Sequence, residues 1–308
     1  MTSTVNMAVD LGRGLKLTNP VMAASGTFGY GLEYADLVDL SQIGAVVVKG
    51  LSPKPRAGNK PPRIVETACG LLNSIGLQNP GVHNFLDEKL PKLLDLGATV
   101  IANVYGETVE EYEYVVEQLS APAAKGVLGL EINVSCPNVK AGGIAFGVKA
   151  DMLSDLTLRL RNATDKHLMV KLSPNVTDIT EMALACRDAG ADSLSAINTL
   201  LGIAIDLETR KPILGGITGG LSGPAIKPVA LRMAWQVAQA VDIPVIGIGG
   251  IDNAVDALEF ICAGCHAVQI GTANFRQPQN PVHIAENMQQ WLADHQQTLD
   301  QLRGTLTV

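Results

Sequence analysis

Aromatic residues are scarce in this chain: five Phe, five Tyr and two Trp make up 4% of its 308 positions. Stacking between Trp or Tyr rings is therefore not its main device for recognising a ligand. Charged residues reach only 17%, and the net charge of -7 provides no cationic face for a phosphate backbone, which argues against a nucleic-acid partner. No apolar run attains the roughly 18–20 residues that cross a bilayer, so no membrane association is expected. The opening MTSTVNMAVDLGRG lacks the basic-then-apolar pattern of a secretory signal. No GxGxxG follows the first apolar run, and no four cysteines cluster as an iron–sulfur site requires.

Cysteine is sparse and scattered: Cys69, Cys136, Cys186, Cys262 and Cys265. An odd count with no secretory signal fits free thiols in a reducing cytoplasm. Cys262 and Cys265 form a CxxC, but it sits in the helical pattern AVDALEFICAGCHAV with no second pair to complete a metal site. Helix packing is the expected role there.

What is abundant is apolar surface, at 47%, with 31 glycines, a composition suited to a compact core with many turns. Short apolar runs recur at 20–25, 45–50, 99–106, 129–136, 168–175, 193–199, 243–250 and 267–274. They are continuous rather than alternating, as expected of parallel strands covered on both faces. Helical patterns such as EEYEYVVEQL, TEMALACRDAG and ALRMAWQVAQAV lie between them. In GADSLSAIN and GCHAVQIG a glycine ends a helix and a buried strand follows. Eight such units predict an α/β fold, a (β/α)8 TIM barrel, as a single domain over 1–308. A doubly wound sheet also alternates, but the count of eight and the missing fingerprint favour the barrel. The segments 50–80 and 202–224 read as inserted excursions at the C-terminal face.

A barrel of this kind carries its chemistry where the strands end. Those ends hold Ser25, Lys49, Asn103, Asn133 with Cys136, Lys171, Asn198 with Thr199, Gly249 with Gly250, and Gly271 with Thr272. An Asn at a strand end is often only a turn former, and a lone Lys is often an edge residue that reaches water. Yet Lys49 and Lys171 each interrupt an apolar run, VVVKG and LMVKLS, with no acid nearby in sequence. A buried ammonium without a task is costly. GIGGIDN, GTANF and GGLSGPAIKP supply glycines and a helix start where such barrels bind phosphate. A phosphorylated cofactor anchored there would bring Lys171 close to a ring that becomes anionic on reduction, as a flavin does. Asn73, Asn133 and Asn198 could read a second planar, amide-rich ligand, with Lys49 on its anionic group.

These residues resemble the FMN-dependent dihydroorotate dehydrogenase family, its class 1B in particular. The likeness is carried by NPVMAASGTFGYG, VVVKGLS, LLNSIGLQNPG, INVSCPNVKAGG, VKLSPNVTDI, AINTLLG, ITGGLSGPAIKP, IGIGGI and IGTANF, which run from 19 to 275. The resemblance implies FMN contacts at Ser25, Lys49, Gly50, Asn103, Asn133, Lys171, Ile197, Gly223, Gly249, Gly250, Gly271 and Thr272. It implies an orotate site at Lys49, Asn73, Ser74, Ile75, Gly76, Leu77, Asn133, Asn198 and Thr199, with Cys136 as catalytic base and Lys171 as a catalytic cation. Dihydroorotate oxidation would send a hydride to the flavin and a proton to the Cys136 thiolate, and 136–147 would form a lid. The resemblance further implies a homodimer joined by an electron-transfer subunit that carries FAD, a [2Fe-2S] cluster and the NAD site, giving a heterotetramer. Two alternatives stay open on the residues alone: a flavin-dependent uracil or thymine dehydrogenase, and a non-redox phosphate-binding barrel.

Overall fold

The computed structural model describes residues 5–135 and 146–308. Cys136 and the stretch through 145 therefore lie outside the described residues, as does most of the expected lid. Eight parallel strands close into a barrel. In chain order they are β1 (Val21–Ala23), β2 (Ala45–Leu51), β3 (Val100–Val104) and β4 (Val127–Asn133). Then come β5 (His167–Lys171), β6 (Ser193–Ala196), β7 (Val245–Ile248) and β8 (Ala267–Ile270). β8 pairs with β1 through Val268 and Val21, which completes the ring. Val46, Val47, Val48, Val100 and Ile101 are wholly buried. β-branched residues suit a pleated surface packed on both sides, and each such side chain contributes about 1.5–3 kcal/mol on burial.

Local signals position the outer helices. Thr108 opens Val109–Ser120 by accepting the Glu111 N–H at 3.3 Å. Asp178 and Asn253 do the same for Ile179–Asp188 and Ala254–Cys262. Gly190 (φ 94°) and Gly264 (φ 113°) follow those two helices in the left-handed region and turn the chain into β6 and β8.

Two features differ from the sequence reading. The unit after β1 has no α-helix; short 3-10 turns at Leu32–Tyr34 and Leu40–Gln42 take its place. Gly26, Gly29 and Gly31 all have positive φ, which breaks helical propagation in that segment. The two excursions, expected as separate loops, form one four-stranded antiparallel sheet in the order Leu200–Ile203, Thr218–Ser222, Gly70–Asn73, Ile64–Thr67. This sheet roofs the C-terminal end of the barrel.

The N-terminal end is closed by a hairpin, Val9–Asp10 with Lys16–Leu17. Leu11, Leu15 and Leu17 are buried beneath the strands. Cys186 and Cys265 are buried free thiols, and burial pushes both up to about 12, where they are inert. Among the described residues no helix is long and apolar enough to cross a membrane, and no His, Cys, Asp and Glu side chains cluster as metal ligands.

Candidate active site

Between the roof and the strand ends lies a cavity of about 540 Å³. All the FMN, orotate and catalytic positions expected from the sequence that fall among the described residues line it; Cys136 lies outside those residues. Ser135, the residue before Cys136, and Val148, just past the undescribed stretch, line it too.

Three asparagines on the strand ends are oriented by their neighbours. Asn133 accepts through Oδ1 from Asn198 Nδ2 at 3.1 Å, and its carbonyl accepts the Tyr112 hydroxyl at 2.7 Å. The Asn133 oxygen is thus committed, and its NH2 group is the end it offers. Asn103 donates from Nδ2 to Glu131 Oε2 at 2.8 Å. Its Oδ1 is buried with no hydrogen-bond partner among the described residues. From the roof, Asn73 donates to the Gly220 carbonyl at 3.2 Å, so its oxygen is the free end.

Two lysines face the cavity in different settings. Lys171, on β5, is buried and lies 3.5 Å from the Glu131 carboxylate. The sequence offered no acid near this lysine; the fold supplies one from the neighbouring strand, where Asn133 and Lys171 are in register. Lys49, on β2, is held below the usual lysine range chiefly by burial, then by the Arg63 guanidinium, with Glu33 opposing both. Two cations with one partly compensating acid form a site suited to an anion. Arg63 also ties the roof together, donating to the Asn59 and Ala57 carbonyls at 2.6 and 3.0 Å and to Gln78 at 2.7 Å.

At the ends of β7 and β8, Gly249 (φ 127°) and Gly250 (φ 71°) adopt conformations that favour glycine. A Cβ on Gly250 would lie 2.7 Å from the Lys227 backbone nitrogen, so the glycine lets the helix Lys227–Ala240 start directly against the strand exit. The Lys227 ammonium is engaged by Asp256 and by Glu259. Anion binding here would therefore fall to backbone N–H groups and the Ser222 hydroxyl, whose Oγ accepts from Thr272 at 2.8 Å and whose own proton stays available.

Sequence reasoning passed over several cavity residues. Ser173 and Asn175 also line the cavity, and Asn175 donates to the Thr199 carbonyl at 3.1 Å. Both stand in the same LSPN run that ends in polar residues, which was the available signal. Glu131 was missed as well; its signal was a single acid inside the apolar run GLEINV.

A family model described as dihydroorotate dehydrogenase matches residues 8–292. A protein of Trichlorobacter lovleyi named dihydroorotate dehydrogenase B (NAD(+)), catalytic subunit, is 60% identical over 288 residues, covering 94% of each chain. A Pelobacter propionicus protein of the same name is 59% identical over 292 residues, covering 95% of this chain and 94% of its own. A Geotalea uraniireducens protein, also so named, is 60% identical over 282 residues, covering 92% of each.

Proposed function

The chain belongs to the dihydroorotate dehydrogenase family, and from that premise we propose that it is the catalytic subunit of an NAD-linked enzyme that oxidises dihydroorotate to orotate in pyrimidine synthesis. The observation that carries this reading is convergence. Polar side chains from well-separated strand ends meet in one cavity of about 540 Å³, in a chain that matches the family over residues 8–292.

The residues present fit an FMN. The orphaned Asn103 Oδ1 offers an acceptor to a ring N–H. Lys171 offers a cation to a ring edge that gains negative charge. Gly223, Gly249, Gly250, Gly271 and Thr272 would hold the phosphate end, and Ser25, Gly50, Asn133 and Ile197 the ring walls. When bound, FMN supplies the acceptor for the hydride that leaves C6 of dihydroorotate. Lys49 holds the substrate carboxylate; Asn73, Asn133, Asn198 and Thr199, with the run from Ser74 to Leu77, orient the ring amides and carbonyls. The roof sheet excludes water from that contact. Cys136 takes the proton from C5 as thiolate. An ordinary thiol is only partly ionised at neutral pH, so cations or N–H dipoles close to it would raise the active fraction.

Reoxidation by NAD calls for a second protein, because this chain shows no dinucleotide fingerprint. The partner carries FAD, a [2Fe-2S] cluster and the NAD site, and joins a homodimer of this chain to form a heterotetramer.

Anaerobic mixing of the FMN-loaded protein with dihydroorotate tests the reading. The flavin absorbance at visible wavelengths should bleach, and uracil-derived substrates should leave it unchanged. Cys136→Ser should keep the flavin bound and slow bleaching by about 10²–10⁴-fold at neutral pH, with recovery as pH rises. A wild-type protein that stays oxidised in dihydroorotate would refute the assignment, and undiminished bleaching in the variant would remove Cys136 from the base role.

A further inference from the structure

Glu131 lies within β4 and is completely buried. Four side chains from four other strands converge on its carboxylate. Oε1 accepts from Ser195 Oγ on β6 at 3.0 Å and from Gln269 Nε2 on β8 at 2.8 Å. Oε2 accepts from Asn103 Nδ2 on β3 at 2.8 Å and lies 3.5 Å from Lys171 Nζ on β5. A carboxylate buried this deeply costs several kcal/mol unless it is paired and hydrogen-bonded, and an apolar residue of similar volume would pack the same space without that cost.

The consequence of an acid at this hub is directional. A carboxylate only accepts, so it draws in the NH2 ends of Asn103 and Gln269 and turns their oxygens away. Asn103 Oδ1 and Gln269 Oε1 are both buried without a partner among the described residues. The freed Asn103 oxygen sits against Gly50, where a Cβ would come within 2.8 Å of it. Asn103, Gly50 and Lys171 all line the cavity. Glu131 does not line it, so whatever it does there it does through these neighbours.

We propose that Glu131 is a positioning residue for the flavin: it fixes the Asn103 oxygen toward the ring, holds the Lys171 ammonium in place, and lowers the flavin reduction potential by partly offsetting that ammonium. The inference rests on the reading of this cavity as the FMN site. A negative charge behind Lys171 weakens the positive field that a reduced, electron-rich ring would feel. Removing that charge leaves Lys171 uncompensated and makes reduction easier.

The test compares wild type, Glu131→Gln, Lys171→Met and the double variant, each FMN-loaded, by spectroelectrochemical titration, with FMN affinity from fluorescence quenching and folding from circular dichroism. Glu131→Gln should raise the reduced-to-oxidised ratio at a fixed potential about tenfold, equivalent to about 30 mV for a two-electron couple. It should also weaken FMN binding several-fold, since a glutamine at this position no longer dictates which end of Asn103 faces the cavity. In the Lys171→Met background the same change should shift the potential by less than half as much. An unaltered or lowered potential in Glu131→Gln, or an equal shift in both backgrounds, overturns the proposal. If Glu131→Gln does not fold, Glu131→Asp replaces it: a smaller rise supports the proposal and no rise overturns it. Wild-type protein that takes up no FMN refutes the cofactor reading itself, whereas normal FMN uptake with a wild-type potential in the variant refutes only the role of Glu131.

Discussion

The two ends of the barrel are made by the same eight strands and treat polar groups in opposite ways. At the N-terminal end charges satisfy each other. Asp192 binds Arg13 at 2.7 Å, Arg161 at 2.7 Å and the Leu168 N–H at 2.8 Å. His167 has the Gly12 carbonyl at 3.0 Å on one ring nitrogen and Ser193 Oγ at 2.7 Å on the other. A hairpin of buried leucines then seals that face. At the C-terminal end the network stops short: Asn103 Oδ1 has no partner among the described residues, and Lys49 is desolvated against another cation. The saturated polar groups around Asp192 and His167 make that part of the closed end a stabilising floor. Unsaturated ones make the open end a place where a ligand completes the bonding.

Substitutions at the two ends should separate binding from stability. The largest effect belongs to the open end. Lys49→Met should raise the KM for dihydroorotate about 10–100-fold, the worth of one charge-assisted bond, with a small or favourable change in stability. Its pH dependence has a definite sign. The folded value is lowered, so the unfolded chain binds the proton more tightly. Wild-type stability should therefore rise with pH between the lowered value and about 10.4, while orotate affinity falls as the ammonium is lost. Isothermal titration with orotate across that range checks the second arm, and a flat affinity would contradict the clamp.

Next is the closed end. Asp192→Asn should lower unfolding free energy by about 1.5–3 kcal/mol, because partly buried bonds to two arginines are weakened. Steady-state kinetics should stay within about twofold of wild type; a large kinetic change would erase the division between the two ends. The smallest effect is at His266, just before β8, which burial first and then Arg303 push down to about 4, with Asp300 opposing. Here too the unfolded chain binds the proton better. Stability should be lost as pH falls from about 6.5 toward 4, by about 1–2 kcal/mol once solvent screening at this half-buried site is allowed for. His266→Gln should flatten that acid limb in thermal melts at a series of pH values.

The barrel was legible because parallel strands write themselves as continuous apolar runs, and a helix cap or a glycine marks several of the boundaries, as Asp178, Asn253, Gly190 and Gly264 do. Several cavity residues were legible because they stand at the end of such a run, as Lys171 does after LMV and Asn198 after SAI, whereas Gly50, Ile197, Gly223 and the run Ser74 to Leu77 were marked only by the family resemblance. What could not be read was partnership across the barrel. Glu131 and Ser195 are 64 positions apart and Gln269 is 138 from Glu131, and no local pattern links them. The missing first helix has a local cause in three glycines, but a glycine-rich turn and a glycine-interrupted helix look alike in sequence. The roof was invisible for the same reason as the hub: antiparallel pairing of distant segments leaves no mark on either one.

That roof sets a schedule for the molecule. Leu72 pairs with Leu221 and Asn73 with Gly220, so the strand laid down early waits for one made nearly three-quarters of the way along the chain. A ribosome-bound intermediate can have several barrel strands in hand and still lack a lid on its pocket.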